Sequence, residues 1–141
     1  MTAPVFWLVI PAAGIGSRMQ AECPKQYLTV AGKTILELTL GCFLAHPQLL
    51  GIVVAVAEHD SWWSTLELAE DPRVHTVIGG GERADSVLNA VLALENYGAQ
   101  ADDWVLVHDA ARPLLEAQDL QRLLTQLADD PVGGLLAVPA R

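Results

Sequence analysis

The chain has 141 residues, 52% of them hydrophobic, and a formal net charge of −9. A domain of this length buries roughly 68–70% of its unfolded surface, so neither a metal nor a disulfide is required for a core. The apolar richness excludes disorder, the acidity argues against non-specific binding to nucleic acid or an anionic membrane, and no apolar run reaches the roughly 18 residues of a membrane span.

The first predicted element is a strand over Val5–Ile10, an unbroken apolar run that suits a sheet buried on both faces. Thr34–His46 reads as a helix with Thr34 as its N-cap, and Pro47 ends it. Gly51–Ala57 is a second buried strand, and Ser61–Glu70 a short helix with Ser61 as a possible cap. A third strand spans Val74–Ile78. A helix follows over Arg83–Tyr97, with Val87, Val91 and Leu94 at helical spacing and Gly98 placed to terminate it. Trp104–Val107 is a fourth strand, Gln118–Ala128 a helix, and Gly134–Val138 the start of a fifth strand. Strands alternating with helices give a single α/β domain over residues 1–141, a Rossmann-like open and mostly parallel sheet flanked by helices. A strand three residues before the last residue, with no helix to cover it, suggests the N-terminal part of a longer protein. The N-terminus carries none of the regions of a secretory leader, so a cytoplasmic chain with reduced Cys23 and Cys42 is expected.

Ligands of open α/β sheets sit beyond the carboxyl ends of the strands, and three segments occupy such places. The first is PAAGIGSRMQAECPKQ, where Gly14 and Gly16 let the backbone approach an anion and Arg18 and Lys25 add charge. These are two of only eight basic residues, so cations at a strand end in an acidic chain suggest a polyphosphate site. Two familiar phosphate motifs fail. A dinucleotide fingerprint needs glycine where Met19 stands, and a P-loop ending in Gly32-Lys33-Thr34 needs glycine where Tyr27 stands. Glu58, nearest the end of the second strand, reads as a solvent-facing turn residue, which also disfavours a dehydrogenase.

The second segment is HDAARP. Asp109 at a strand's carboxyl end can ligate Mg²⁺ alongside triphosphate oxygens, or it can cap the turn with Arg112 as its ion-pair partner. Arg112 in the first case reaches a second anion. His108 reads as structural, since no second His or Cys lies at metal-ligand spacing. The third segment is GGGERADS, whose glycines present N–H groups at a helix start. Arg83 and Ser86 fall on the first turn, where Ser86 either contacts a nucleotide or bonds back to the helix. Glu82 and Asp85 complement the helix dipole.

PAAGIGSRM, PKQYL, GGGERADSVL and VHDAARP, in this order, resemble the 2-C-methyl-D-erythritol 4-phosphate cytidylyltransferases of the non-mevalonate isoprenoid pathway. The first two are shared with wider sugar-nucleotide pyrophosphorylase-like enzymes, whereas ERADSVL with VHDAARP is more specific. The resemblance implies a nucleotide-diphospho-sugar transferase fold that is C-terminally incomplete. It implies Mg²⁺-dependent transfer of CMP from CTP to methylerythritol phosphate, with release of pyrophosphate. It further implies catalytic roles for Arg18 and Lys25, a metal-ligand role for Asp109, and a substrate contact for Arg112. Nucleotide contacts fall on Ala12, Ala13, Gly14, Gly16, Gly80, Gly81, Arg83, Ser86 and Ala110. At Gly81 many members carry Asp, so a side-chain contact from that position is lost here. A family homodimer is implied, although the dimer arm and much of the acceptor site lie outside the matching segments, so weak or no turnover and an aggregation-prone sheet edge are expected. A nucleotidyltransferase for another sugar or alcohol phosphate, and a non-catalytic nucleotide-binding fragment, are the alternatives.

Overall fold

The computed structural model describes residues 4–13 and 23–135. Strand β1 (Phe6–Ala12) opens the chain, and a single 3₁₀ turn covers Lys25–Tyr27. A two-stranded hairpin follows, β2 (Thr29–Val30) against β3 (Lys33–Thr34). Its connecting residues Ala31 and Gly32 both take positive φ, +54° and +87°, as a two-residue hairpin turn demands. Helix α1 (Ile35–Leu44) starts where predicted. Thr34 Oγ1 accepts the Glu37 N–H, and the Glu37 carboxylate accepts the Thr34 N–H, a reciprocal capping box.

Strand β4 (Leu49–Val56), β5 (Val74–Ile78), helix α2 (Arg83–Ala93), β6 (Trp104–Val107) and helix α3 (Ala117–Leu127) complete the elements. The predicted helix over Ser61–Glu70 is instead two 3₁₀ turns, Trp63–Thr65 and Glu67–Glu70. Its cap is also not Ser61. The Asp60 carboxylate accepts the N–H groups of Trp62 and Trp63 at 2.8 and 2.9 Å, so the carboxylate one residue earlier takes the bonds a serine would compete for. The predicted helix over Arg83–Tyr97 ends as α at Ala93 and continues as a 3₁₀ turn, Leu94–Tyr97, before Gly98 in the left-handed region. Gly134 and Leu135 are irregular, and the rest of the predicted fifth strand lies outside the described residues.

The four long strands form one parallel sheet in the order β5-β4-β1-β6. Side chains alternate across β1: Phe6, Leu8 and Ile10 face α1 and α3, whereas Trp7 and Val9 face α2. Phe6, Leu8, Val9 and Ile10 are fully buried, each worth roughly 1.5–3 kcal/mol relative to exposure. Helix α2 turns a face of small residues to the sheet. Ser86, Ala90 and Ala93 are buried, while Val91 is exposed and Val87 lies at the margin. The predicted Val87–Val91–Leu94 stripe is thus corrected. A close helix–sheet approach favours the smallest side chains, and only Leu94 of the predicted set enters the core.

The topology places the site. From β1 the chain moves through α1 to β4 and then β5, and from β5 it crosses through α2 to β6 on the other side of β1. Crossovers of one hand running in opposite directions put their helices on opposite faces, as α1 and α2 are here. The reversal leaves a crevice at the carboxyl ends of β1 and β6, the switch point where open α/β sheets hold ligands.

Candidate active site

A cleft of about 760 Å³ occupies this crevice. Ala12 and Ala13 from the end of β1 line it, as do Lys25, Gly80, Gly81, Arg83, Ser86, Asp109 and Ala110. Three sequence segments more than twenty residues apart therefore meet in one place. Gly14, Gly16 and Arg18 lie outside the described residues. Arg112 does not line the cleft. Its guanidinium reaches Asp109 from a neighbouring groove.

The glycine segment is shaped by close approach. A Cβ built on Gly79 would lie 2.3 Å from Ala13 Cβ and 2.6 Å from Ser86 Oγ, and one on Gly80 would lie 2.2 Å from Asp85 Cβ. No side chain fits at either position. Gly81, in contrast, faces open space within 4 Å, so a larger residue there meets no steric objection. Ser86 is buried, and its Oγ accepts the Gly80 N–H at 3.2 Å. Its hydroxyl thus tethers the loop to the first turn of α2. The Asp85 carboxylate accepts the Glu82 N–H at 3.2 Å, which makes these two acids part of the helix start, as predicted.

Asp109 lies two residues past the end of β6 and is held from both sides. Oδ1 accepts from Arg83 Nη2 at 2.6 Å, and Oδ2 pairs with Arg112 Nε at 2.7 Å. The hydrogen bond from Arg83 holds the Asp109 carboxyl below its ordinary value; burial opposes it, and the charges of Arg83 and Arg112 add to the lowering. These ion pairs are solvent-exposed, with Arg112 77% exposed, so they contribute at most about 1 kcal/mol each. His108 is engaged structurally: Nδ1 lies 2.8 Å from the Asp109 carbonyl oxygen, and its ring meets Phe43 edge-on. Cys23 and Cys42 are both free thiols, and burial raises the Cys42 pKa.

Several cleft residues escaped the sequence reading. Gln26, Asp60 and Trp62 line the cleft, and Gln26 Nε2 donates to the Ala12 carbonyl at 3.1 Å in a buried bond. The signal available for Asp60 was its place just after a strand end, before two tryptophans whose N–H groups needed an acceptor.

The open parallel sheet, its reversal beside β1 and this charged, glycine-walled cleft define an α/β domain with a ligand cleft at its switch point. Residues 6–141 match the family model described as IspD: 2-C-methyl-D-erythritol 4-phosphate cytidylyltransferase, and the chain belongs to that family. It is 64% identical over 138 residues to an enzyme of that name from Pseudomonas putida, covering 98% of this chain and 59% of the relative. The same figures describe its match to the Pseudomonas aeruginosa counterpart. Among solved structures, a 4-diphosphocytidyl-2C-methyl-D-erythritol synthase superposes with a TM-score of 0.82 at 36% identity, covering 97% of this chain and 60% of that one. The Francisella tularensis cytidylyltransferase superposes with a TM-score of 0.74 at 35% identity, covering 90% and 54%. A CMP:2-keto-3-deoxy-manno-octonic acid synthetase at 20% identity, TM-score 0.65, shares the fold. The chain spans about 59–60% of the length of the curated relatives it matches.

Proposed function

We propose that this chain carries the nucleotide half of a cytidylyltransferase that joins CMP from CTP to 2-C-methyl-D-erythritol 4-phosphate. The observation that carries the reading is the convergence of Lys25, the Gly80–Ser86 loop and Asp109 on one cleft at the switch point, in a chain of this family. In the reaction a phosphate oxygen of the acceptor attacks the α-phosphorus of CTP. A new P–O bond forms, the anhydride bond to the β-phosphate breaks, and pyrophosphate leaves. The nucleophile is already an anion, so acid–base chemistry is secondary. Stabilising the charge that grows on the non-bridging oxygens matters most.

Lys25 supports this role because it lines the cleft and pairs with no carboxylate among the described residues. Arg18 is proposed to act beside it. The Gly79–Gly81 backbone and Ser86 form the wall against which the nucleoside rests, and Arg112 is proposed to meet the acceptor phosphate. Asp109 suits a divalent cation. Mg²⁺ takes one or two carboxylates and completes its shell with substrate phosphates and water, and Asp109 supplies one carboxylate at the cleft. Among the described residues no group of three His, Cys, Asp or Glu side chains forms an all-protein cage. When bound, the ion neutralises triphosphate charge. Asp109 would release Arg83 or Arg112 to hold it. A cytoplasmic homodimer is the proposed state of the whole protein, and no helix among the described residues is long and apolar enough to cross a membrane.

Thermal melting of this chain with CTP, UTP, ATP and NAD, each with and without Mg²⁺, tests the reading. CTP at about 100 times its dissociation constant should stabilise by roughly 2.7 kcal/mol, in a Mg²⁺-dependent manner and more than the other three. A chain that melts cooperatively but responds to none of them would remove the nucleotide assignment.

A further inference from the structure

Lys25 stands on a short turn, and a lysine on a turn is only as well placed as the turn itself. Two neighbours anchor it in different directions. Gln26 reaches back to the end of β1 through its bond to the Ala12 carbonyl. Tyr27, almost fully buried, reaches across to the loop after β4. Its hydroxyl donates to Asp60 Oδ2 at 2.5 Å, and its ring stacks on Trp62 with centroids 5.6 Å apart. Asp60 is engaged at both oxygens, because Oδ1 accepts the Trp62 and Trp63 N–H groups. Burial, then the hydrogen bond and charge of Asp60, raise the Tyr27 pKa and keep the hydroxyl a donor.

We infer that Tyr27 and Asp60 are positioning residues that clasp the Lys25 turn to the loop after β4 and fix the lysine toward an anionic phosphate. The two residues lie 33 positions apart, and both Lys25 and Asp60 line the same cleft. The bond therefore sets where the cation-bearing wall sits relative to the β4 loop. It also occupies a carboxylate that shares the cleft with Lys25 and would otherwise be available to it. The inference rests on the nucleotide reading for what Lys25 meets, but not for the clasp itself.

The chain contains only two lysines, Lys25 and Lys33, which makes the test selective. Backbone ¹⁵N relaxation at Lys25 reads the clasp without any ligand. ¹³Cε-lysine spectra titrated with Mg²⁺ and CTP read its consequence, with exposed Lys33 as the internal control. Tyr27→Phe keeps the buried ring and its stack on Trp62 and removes only the hydroxyl. The expected result is a Lys25 order parameter falling from about 0.85 to about 0.6 and an apparent CTP dissociation constant at Lys25 about tenfold weaker, the scale of one lost hydrogen bond to a charged group. Asp60→Asn, which retains an acceptor, should stay within about threefold. If Tyr27→Phe does not fold, Asp60→Ala takes its place with the same expectation. An unchanged order parameter and unchanged titration in the clasp variant would overturn the inference. A falling order parameter in a chain whose Lys25 never responds to CTP would support the clasp and defeat the nucleotide reading instead.

Discussion

Two walls of the cleft are made by different physics. One wall, the Gly79–Gly81 loop with Ser86, is fixed by steric exclusion and a part-buried hydrogen bond: there is no room for a Cβ at Gly79 or Gly80, and Ser86 is committed to the Gly80 N–H. The other wall, Asp109 with Arg83, and with Arg112 reaching it from outside the cleft, is fixed by exposed charge. A sterically fixed wall cannot adapt and costs nothing to reorganise when a ligand arrives. An ion-paired wall in water is weak and exchangeable, which suits groups that must give up one partner for another. Substitutions in the first wall should therefore register in stability, and substitutions in the second should register in ligand binding and salt dependence.

The largest effect is expected at Gly80. Gly80→Ala places a methyl where Asp85 Cβ already stands at 2.2 Å. Overpacking of this kind costs about 2–3 kcal/mol, read as a melting point lowered by roughly 8–12 °C in a domain of this size. Gly81→Ala, one residue on and facing open space, should move stability by less than about 0.5 kcal/mol. Equal losses at the two positions would break the distinction drawn for this wall. Next comes Ser86→Ala, which leaves the Gly80 N–H without its acceptor at a cost of about 1–2 kcal/mol, measured as a shift in the denaturant midpoint at constant slope. A change in slope would point to a looser native state instead.

Much of this architecture was legible in the chain. The strands at Val74–Ile78 and Trp104–Val107 agree with the sequence reading residue for residue, and the Thr34 cap was visible from the residue type before an apolar periodic run. Local pattern carries such elements because burial and capping are decided within a few residues. The misses share a cause. Whether Ser61 or Asp60 caps a turn, whether Val91 or Ala90 faces the sheet, and whether Tyr27 meets Asp60 are settled by tertiary neighbours. The site was half legible in the same sense. The motifs named Lys25, Ser86 and Asp109 as residues to watch, and the fold brings all three to one cleft. The motifs gave no sign that Ser86 is spent on Gly80, or that Arg83 joins Arg112 on Asp109. The Arg112 pair is the one the sequence offered for Asp109, whereas the Arg83 pair joins two segments, and periodicity within a segment does not encode it.

The charged wall should behave in the opposite way. Arg83→Gln removes the 2.6 Å partner of Asp109 yet should leave the melting point within about 1–2 °C, as expected for an exposed pair. Under the proposed role, binding of CTP with Mg²⁺ should weaken by about tenfold, the worth of a charge-assisted hydrogen bond. The loss should shrink as salt is raised, since screening weakens the wild-type contact as well. Calorimetric titration at two ionic strengths checks both statements. A large drop in melting point with unchanged binding would assign Arg83 to the rigid wall.

The smallest effect is the pH dependence of that wall. The Asp109 pKa is lowered in the folded chain, first by the Arg83 hydrogen bond, whereas an unfolded aspartate titrates near 3.9. A depressed folded pKa means that the unfolded chain binds the proton more readily. The stabilisation is then fully present above the unfolded value and is lost as pH falls through the lower folded value. Screening by solvent keeps it under about 1 kcal/mol. The wild-type chain should thus lose slightly more stability than Asp109→Asn between pH 6 and pH 3, with the difference confined to the region below about pH 4.5. Matched denaturant titrations across that range measure it. A difference that stayed constant with pH would mean that Asp109 stabilises through packing or backbone bonds, and the wall would then owe nothing to charge.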